Sequence, residues 1–398
     1  MKIAIYGGTF NPPHRGHVES LQAVYEQAKP DRVLVIPASI PPHKELAAGS
    51  PDAEERLELT RLAFKELPYA EVTDMELTRT GKSYTSDTVA ELLRKYPDAE
   101  LMLAMGTDMF LSFETWHEYR YLIDNVTMLV FARREGEDEK IFKYGEYLES
   151  KYGAKINYIM HDPLPISSSE IRRLLPMRRG RELRPGAVFA RIVKNGDYAA
   201  KPDFPWLREQ SYAYLSPKRI PHVQGCEWEA VRLAKRWGES EEDAAEAGIL
   251  HDITKKLVLS EQLILSEKYG IINDTYETAN VKLLHAKTGA ALARDLFNIS
   301  DRVYSAIRWH TTGKPDMTVL EKVIYLADFI EPTRDFPGVD ALRRTVWEDL
   351  DRGLLMGLEM TVEEMEEMGN PIHVNTLAAR DYLKGKTNEG KAGSGQQL

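Results

Sequence analysis

Five short apolar segments govern what this chain can fold into: KIAIY at 2–6, RVLVIP at 32–37, ELMLAMG at 100–106, VTMLVFA at 126–132 and KINYI at 155–159. Polar sequence long enough for a helix separates each from the next. Parallel strands need crossovers of that kind and are buried on both faces, so the rhythm predicts a Rossmann-like, doubly wound parallel α/β sheet. One crossover is visible in SDTVAELLRKY, where Val89, Leu92, Leu93 and Tyr96 recur at i, i+3, i+4 and i+7, the stripe of a half-buried helix.

The rhythm stops near residue 195, where NGDYAAKPDFPW mixes Gly, Pro and aromatic residues without a period. Beyond it the spacing is helical, as for Leu320, Val323, Ile324 and Ala327, with no competing alternation, and an all-α helical bundle is expected. With 398 residues and about 150 per domain, the chain divides into an α/β domain over 1–196 and a helical domain over 205–384. The polar, Gly-rich residues 385–398 read as a disordered tail.

Fifty-two basic and 62 acidic side chains leave a net charge of −10. Neither half has a basic excess, which argues against nucleic acid as a partner. A single cysteine, Cys226, excludes an internal disulfide and a Cys-rich zinc site. No signal-like or membrane-spanning apolar run occurs, so a cytoplasmic protein that engages no membrane is expected.

The string GGTFNPPHRGH, residues 7–17, follows the first strand. Gly7 and Gly8 allow close approach of a ligand to the backbone, with Thr9 and Phe10 next to them, and Pro12 and Pro13 stiffen the loop before a helix. His14 and His17, three residues apart, fall on one side of that helix's first turn. There the free N–H groups and the dipole already favour anions, so the pair suits a triphosphate. A second helix start, ISSSEIRRLL at 166–175, has Ser167 and Glu170 in capping-box register. Taken alone it is equally an ordinary capped helix. Most of the basic residues from Arg173 to Lys194 read as solvated surface.

Together these strings resemble the nucleotidylyltransferase superfamily with its HxGH signature, whose members transfer a nucleotidyl group without a covalent enzyme intermediate. The resemblance implies that His14 and His17 hold the β- and γ-phosphates of ATP, with Mg2+, while pyrophosphate departs. It also implies a phosphate contact for Arg172, and Ser169 stands where the motif usually has Thr. PASIPPHKE, ERLELTRLA, GKSYTSDT and GTDMFLSFETWHEY extend the resemblance to bacterial nicotinate-nucleotide adenylyltransferase over nearly all of 1–195. ATP is then expected at Gly7, Gly8, Thr9, Phe10, His14, His17, Gly106, Asp108, Ser167, Ser168 and Arg172, where Asp108 accepts from a ribose hydroxyl. Nicotinate mononucleotide is expected at Lys44, Arg56, Tyr84, Thr85 and Trp116, the indole stacking on the pyridine and Lys44 and Arg56 meeting acidic groups. The plainer reading of Trp116 is a core side chain. The superfamily's alternative acceptor, phosphopantetheine, belongs to shorter enzymes that lack the SYTSDT and GTD…W pair.

The helical half carries His222, the adjacent His251 and Asp252, then His285, His310 and Asp328. Packed helices bring such distant residues together, and imidazole with carboxylate suits iron, manganese or a similar divalent metal. Asp252, with two oxygens, could serve two ions. Spacing alone leaves satisfied core histidines as an equal alternative. The strings SPKRIPHVQGC, GILHDITKK, LLHAKTGAALA, RWHTTGKPDMTVLEKVIYLADFIEPTRDFPGVD and NPIHVNTLAARDYL resemble the HD-superfamily enzyme that hydrolyses diadenosine tetraphosphate symmetrically.

That resemblance implies metal ligation by His222, His251, Asp252 and Asp328. His285 and His310 line the phosphate site or hold a second ion, and Thr311, Arg334, His373 and Asn375 lie near the nucleotide. Ile220 and Cys226 depart from the family pattern around its first histidine. Lys255 is a candidate charge partner in catalysis or an exposed helix-end lysine. The expectation is a bifunctional fusion acting on ATP, nicotinate mononucleotide and dinucleoside polyphosphates, its homo-oligomeric state left open. The alternatives are an HD module that senses nucleotides without cutting them, and a phosphodiesterase for another nucleotide.

Overall fold

The computed structural model describes residues 1–42 and 45–393. The chain divides into two compact units, Met1–Lys201 and Pro202–Leu398.

In the first unit six strands form one sheet: β1 (Lys2–Gly8), β2 (Arg32–Pro37), β3 (Ala70–Val72), β4 (Glu100–Gly106), β5 (Val126–Phe131) and β6 (Lys155–Ile159). All pairings are parallel and the order is β3-β2-β1-β4-β5-β6. The expected doubly wound sheet is therefore present. The short edge strand β3 escaped the sequence reading because AEV has neither an apolar run nor a buried centre. Helices α1 (Arg15–Ala28), α2 (Ala53–Phe64), α3 (Thr85–Lys95), α4 (Thr107–Leu111), α5 (Tyr119–Asn125), α6 (Asp138–Tyr152), α7 (Ser168–Leu174) and α8 (Gly186–Asn195) accompany it. Ile3, Ile5, Leu103, Met128 and Val130 form its buried middle together with Val89 and Leu92 of α3. Strand order reverses between β1 and β4, in register from Lys2 with Glu100 to Tyr6 with Ala104. Their following loops part there and leave a crevice at the carboxyl ends, the place where open α/β sheets bind ligands.

The second unit is helical: α9 (Phe204–Ala213), α10 (Ile220–Trp237), α11 (Glu241–Leu250), α12 (Leu259–Lys268), α13 (Thr275–Ala279), α14 (Val281–Phe297), α15 (Asp301–Trp309), α16 (Val319–Ile330), α17 (Val339–Glu348), α18 (Leu350–Glu367) and α19 (Val374–Gly393). Local sequence dictates several starts. Ser240 accepts from Asp243 N–H (3.1 Å), followed by three acidic residues in the first turn of α11. Thr318 and Glu321 cap each other at α16. Helix α16 is apolar on nearly every side and sits centrally, packed by α10, α11, α15 and α18. Helix α19 runs past residue 385 to Gly393, into the segment read from composition as a disordered tail. That stretch contains no proline, and Lys384 and Lys386 pair with Glu359 (2.9 Å) and Asp316 (3.5 Å). Residues 394–398 lie outside the described residues. Among the described residues no helix is long and apolar enough to cross a membrane.

One close backbone approach in the second unit is at Gly248. A Cβ there would lie 2.8 Å from Glu227 Cα and 3.2 Å from Glu227 N, so α10 and α11 touch main chain to main chain. Gly248→Ala should force them apart and lower stability by about 1–3 kcal/mol. Chemical denaturation should show this as an earlier midpoint, while Gly186→Ala, with nothing within 4 Å of its Cβ position, serves as the neutral control.

Candidate functional site

The crevice between the ends of β1 and β4 opens into a cavity of about 440 Å³. Gly7, Gly8, Thr9, Phe10, His14, His17, Tyr84, Thr85, Gly106, Asp108, Trp116, Ser167, Ser168 and Arg172 all border it, so the structure brings together nearly every residue expected around ATP and its acceptor.

His14 is the N-cap of α1, and its ring lies 3.7 Å, centroid to centroid, from that of His17. The His14 N–H donates to His17 Nδ1 (3.2 Å), which leaves the proton of a neutral His17 ring on Nε2 as a donor. His14 is buried, and neither ring nitrogen has a hydrogen-bond partner. Burial, helped by the nearby charges of Arg133 and Arg184, pulls its pKa down to about 3. Near neutral pH it is thus an uncharged imidazole awaiting a polar ligand. Arg172 reaches from α7 to the Asn11 carbonyl and to Ser169 Oγ (3.0 Å), and Ser168 Oγ donates to the Pro12 carbonyl (2.9 Å). The second helix start therefore buttresses the histidine loop across 156 residues of sequence.

At Gly106 a Cβ would fall 2.5 Å from Arg133 Cδ, so a side chain there would displace Arg133. Arg133, which the sequence reading passed over, holds Asp108 at 3.3 Å on the cavity rim. Phe10 borders the cavity, but its ring is core, edge-on to Tyr6, Phe64 and His17. Trp116 is half-buried against Phe113 and also borders the cavity. Beside it His117 stacks on Tyr84 at 4.3 Å.

Arg56 corrects the expectation of an acceptor contact. It is fully buried, donating from Nη1 to the carbonyls of Thr9 (2.9 Å) and Ala38 (2.7 Å) and from Nη2 to that of Ser39 (2.8 Å). With those nitrogens engaged by backbone oxygens, it clamps two loops instead of meeting a carboxylate. Lys44 lies outside the described residues. In the basic stretch, Arg184 is buried over the Phe189 ring (5.0 Å) instead of solvated.

In the second unit five helices converge. His222 comes from the first turn of α10, His251 and Asp252 from the end of α11, His285 from α14, His310 from the end of α15 and Asp328 from α16. His222 Nε2 is 3.0 Å from Asp328 Oδ1 and 3.8 Å from Asp252 Oδ2. His251 Nε2 is 3.4 Å from Asp252 Oδ2. On the other side, Asp252 Oδ1 is 3.1 Å from His285 Nε2 and 3.8 Å from His310 Nε2. One buried carboxylate thus divides two imidazole pairs.

Three of these rings are oriented by the backbone. The Nδ1–H groups of His251, His285 and His310 donate to the carbonyls three residues earlier, of Gly248 (2.8 Å), Lys282 (2.7 Å) and Ile307 (2.6 Å). A neutral ring so held turns an Nε2 lone pair inward, the tautomer a metal needs. His285 and His310 present these atoms to each other at 3.0 Å, and His251 Nε2 and Asp252 Oδ1 have no hydrogen-bond partner. Facing acceptors and orphaned buried atoms fit a divalent cation. His222, His251 and Asp328, with Cys226, and separately His251, Asp252 and His310, offer ligand atoms within 4.8 Å of one another. Burial, reinforced by the neighbouring imidazoles, holds His310 well below its usual range.

Lys255 Nζ is 3.2 Å from His285 Nε2, and Arg334 binds Asp328 through Oδ1 (2.6 Å) and its carbonyl (2.8 Å). The helix-end reading of Lys255 therefore gives way to a place in the cluster. Thr311 Oγ1 is buried beside His310 without a partner. His373 and Asn375 belong to a neighbouring group. Asn375 N–H donates to His373 Nδ1 (3.1 Å), and His373 Nε2 faces Glu277 (3.5 Å) and Asp274 (3.7 Å). Their loop is tied to the histidine cluster through Thr376 Oγ1, which donates to the Thr312 carbonyl (2.9 Å). The sequence reading missed Glu331, a fully buried carboxylate 3.0 Å from His222 Nδ1, and Arg219, discussed below.

Comparison with known proteins agrees with this division. Residues 5–174 match the cytidylyltransferase-like family and residues 219–333 the HD domain. The chain is 36% identical over 198 residues to a probable nicotinate-nucleotide adenylyltransferase of Carboxydothermus hydrogenoformans, covering 98% of that protein and 50% of this chain. It is 37% identical over 198 residues to the corresponding protein of Geobacter metallireducens, covering 90% of it and 46% of this chain. Among solved structures it is similar to a predicted HD superfamily hydrolase involved in NAD metabolism from Clostridium acetobutylicum. The identity there is 37%, with TM-score 0.46, 47% of this chain and all of that chain covered. With nearly the whole length of its curated relatives contained in its first half, the chain belongs to the nicotinate-nucleotide adenylyltransferase family, and it carries an HD domain in its second half.

Proposed function

We propose that the first unit transfers the adenylyl group of ATP to nicotinate mononucleotide, giving nicotinate adenine dinucleotide and pyrophosphate. The paired imidazoles at the start of α1, one with two unsatisfied buried nitrogens, are the observation that carries this reading. ATP enters with Mg2+ on its phosphates. His17 Nε2–H, His14 and Arg172 hold the β- and γ-phosphates, while Gly7, Gly8 and Thr9 let the chain pass close to the backbone. Gly106 and Asp108 receive the nucleoside. Trp116 stacks on the pyridine, with Tyr84 and Thr85 at the carboxylate. An oxygen of the mononucleotide phosphate then attacks the α-phosphorus, and the bond to pyrophosphate breaks. The protein's contribution is alignment and stabilisation of charge on the leaving group.

For the second unit we propose symmetrical hydrolysis of diadenosine tetraphosphate to two ADP. The carboxylate of Asp252 set between two imidazole pairs carries this reading. A divalent ion held by His222, His251, Asp252 and Asp328, iron being one candidate, with a second at His285 and His310, would supply water activation and charge neutralisation. Lys255 and Arg334 face the phosphate chain, and Thr311, His373 and Asn375 border the nucleotide. Sensing without cleavage is the weaker reading, because the full ligand set is assembled.

Three variants test these assignments. His17→Ala should lower dinucleotide synthesis by about 10²–10³ and leave tetraphosphate hydrolysis unchanged, since one charge-stabilising donor is lost in one unit. Steady-state assays of both reactions on the same preparation decide it. Trp116→Ala should weaken mononucleotide binding by roughly 1–3 kcal/mol with ATP affinity retained, and equal losses for both substrates would return the indole to a purely structural role. Asp252→Ala should abolish both bound metal and hydrolysis, with synthesis intact. Metal quantified before and after chelation, and nucleotide chromatography, read this out: ATP plus AMP as products would overturn symmetrical cleavage, and full activity in metal-stripped protein would overturn the metal's role.

A further inference from the structure

Around the HD cluster the charges are layered. The side chains of His251, His285, His310 and Asp252 are at most 1% exposed, whereas those of Arg219, Lys255 and Arg334 are 25%, 33% and 35% exposed. Three cations thus stand on the water side of a buried ligand set. Arg219 is the N-cap residue of α10, three positions before His222, so both project from one turn at the start of that helix. Its Nε and Nη2 each lie 2.5 Å from Asp252 Oδ2, and Nη2 lies 3.9 Å from Asp328 Oδ1. That oxygen of Asp252 is the same one that faces His222 and His251. The guanidinium and a cation bound between those imidazoles would therefore compete for one lone-pair set, and occupation of the ligands by metal would release the guanidinium.

We propose that Arg219 is a phosphate clamp that pairs with Asp252 in the metal-free site and turns to a nucleotide phosphate once metal has taken that carboxylate. The proposal rests on the HD unit binding nucleotide at this cluster, as argued above. A planar fork with several N–H donors, partly open to water and adjacent to the metal ligands, matches a phosphate bridging to a bound cation. Arg334, already engaged with Asp328 from the other side, supplies a second fork facing the same anion.

The test uses the full chain in a His17→Ala background, so that nucleotide binding by the first unit contributes equally throughout, and compares Arg219 with Arg219→Gln and Arg219→Lys. Mn2+ affinity is read by electron paramagnetic resonance, and ADP is titrated calorimetrically into the metal-loaded protein. Arg219→Gln should bind Mn2+ as tightly as the parent or tighter, because its competitor is gone, while ADP affinity falls at least tenfold. Arg219→Lys should recover part of the ADP affinity as a point charge without the fork. Unchanged ADP affinity in Arg219→Gln, or loss of Mn2+ binding, would overturn the clamp and leave the hydrolase reading standing. Arg219-dependent ADP binding in a parent chain that does not cut diadenosine tetraphosphate would overturn the hydrolase reading and support the clamp.

Discussion

A charge carried out of water has to be answered at short range, and two fully buried ionisable groups, Arg56 and Asp252, are answered in opposite ways. Arg56 donates to three backbone carbonyls contributed by the loops after β1 and β2. Apart from Nε, which has no hydrogen-bond partner, the guanidinium is committed to holding Thr9 and Ala38–Ser39 in place, and so fixes the loop that presents His14. Asp252 is surrounded by imidazoles whose outer nitrogens are bound to carbonyls and whose inner nitrogens are acceptors. Those acceptors leave Asp252 Oδ2 to the guanidinium of Arg219, whose Nε and Nη2 each lie 2.5 Å away, while Oδ1 has no hydrogen-bond partner. The arrangement is open on the Oδ1 side, where its donor set fits a cation.

Legibility in the sequence followed the range of the interactions involved. Strands β1, β2, β4, β5 and β6 were visible because each is a local apolar run, and the histidines of residues 7–17 because strand, glycines, prolines and imidazoles are contiguous. The metal-type cluster was visible only through its motifs, since its members meet across helices. Arg56 was misassigned for the same reason: nothing near ERLELTRLA shows that three carbonyls from residues 9, 38 and 39 converge on it. Glu331 and Arg219 were missed because their partners lie 109 and 33 residues away. Residues 385–393, read from composition as part of a disordered tail, continue α19 to Gly393, and Lys386 pairs with Asp316.

The two sets of histidines use one device differently. Around Asp252, each of three Nδ1–H groups is tied to a carbonyl one turn back, so the inward nitrogen is a lone pair suited to a cation. At the start of α1, His17 Nδ1 instead accepts a backbone N–H, so the remaining nitrogen is a donor suited to an anion. The same side chain turns an acceptor or a donor toward its surroundings according to whether helix geometry offers it a carbonyl or an amide.

The charge state of His14 also bears on where positive charge resides in the cavity of the first unit. His14, buried and with Arg133 and Arg184 nearby, stays neutral until the pH falls far below the imidazole range. Positive charge at the cavity is carried in part by guanidinium groups, Arg172 and Arg133 bordering it, beside the neutral ring of His14. A bound polyanion would offset both causes of the depressed pKa, replacing apolar surroundings with negative oxygens and screening the arginines. In the proposed adenylyl transfer His14 would then be better placed to take a proton with ligand than without it, and any charge it acquired would lie where the leaving pyrophosphate develops its own. A permanently charged histidine would favour the ground state and the transition state more nearly alike. A neutral one poised to gain charge favours the latter.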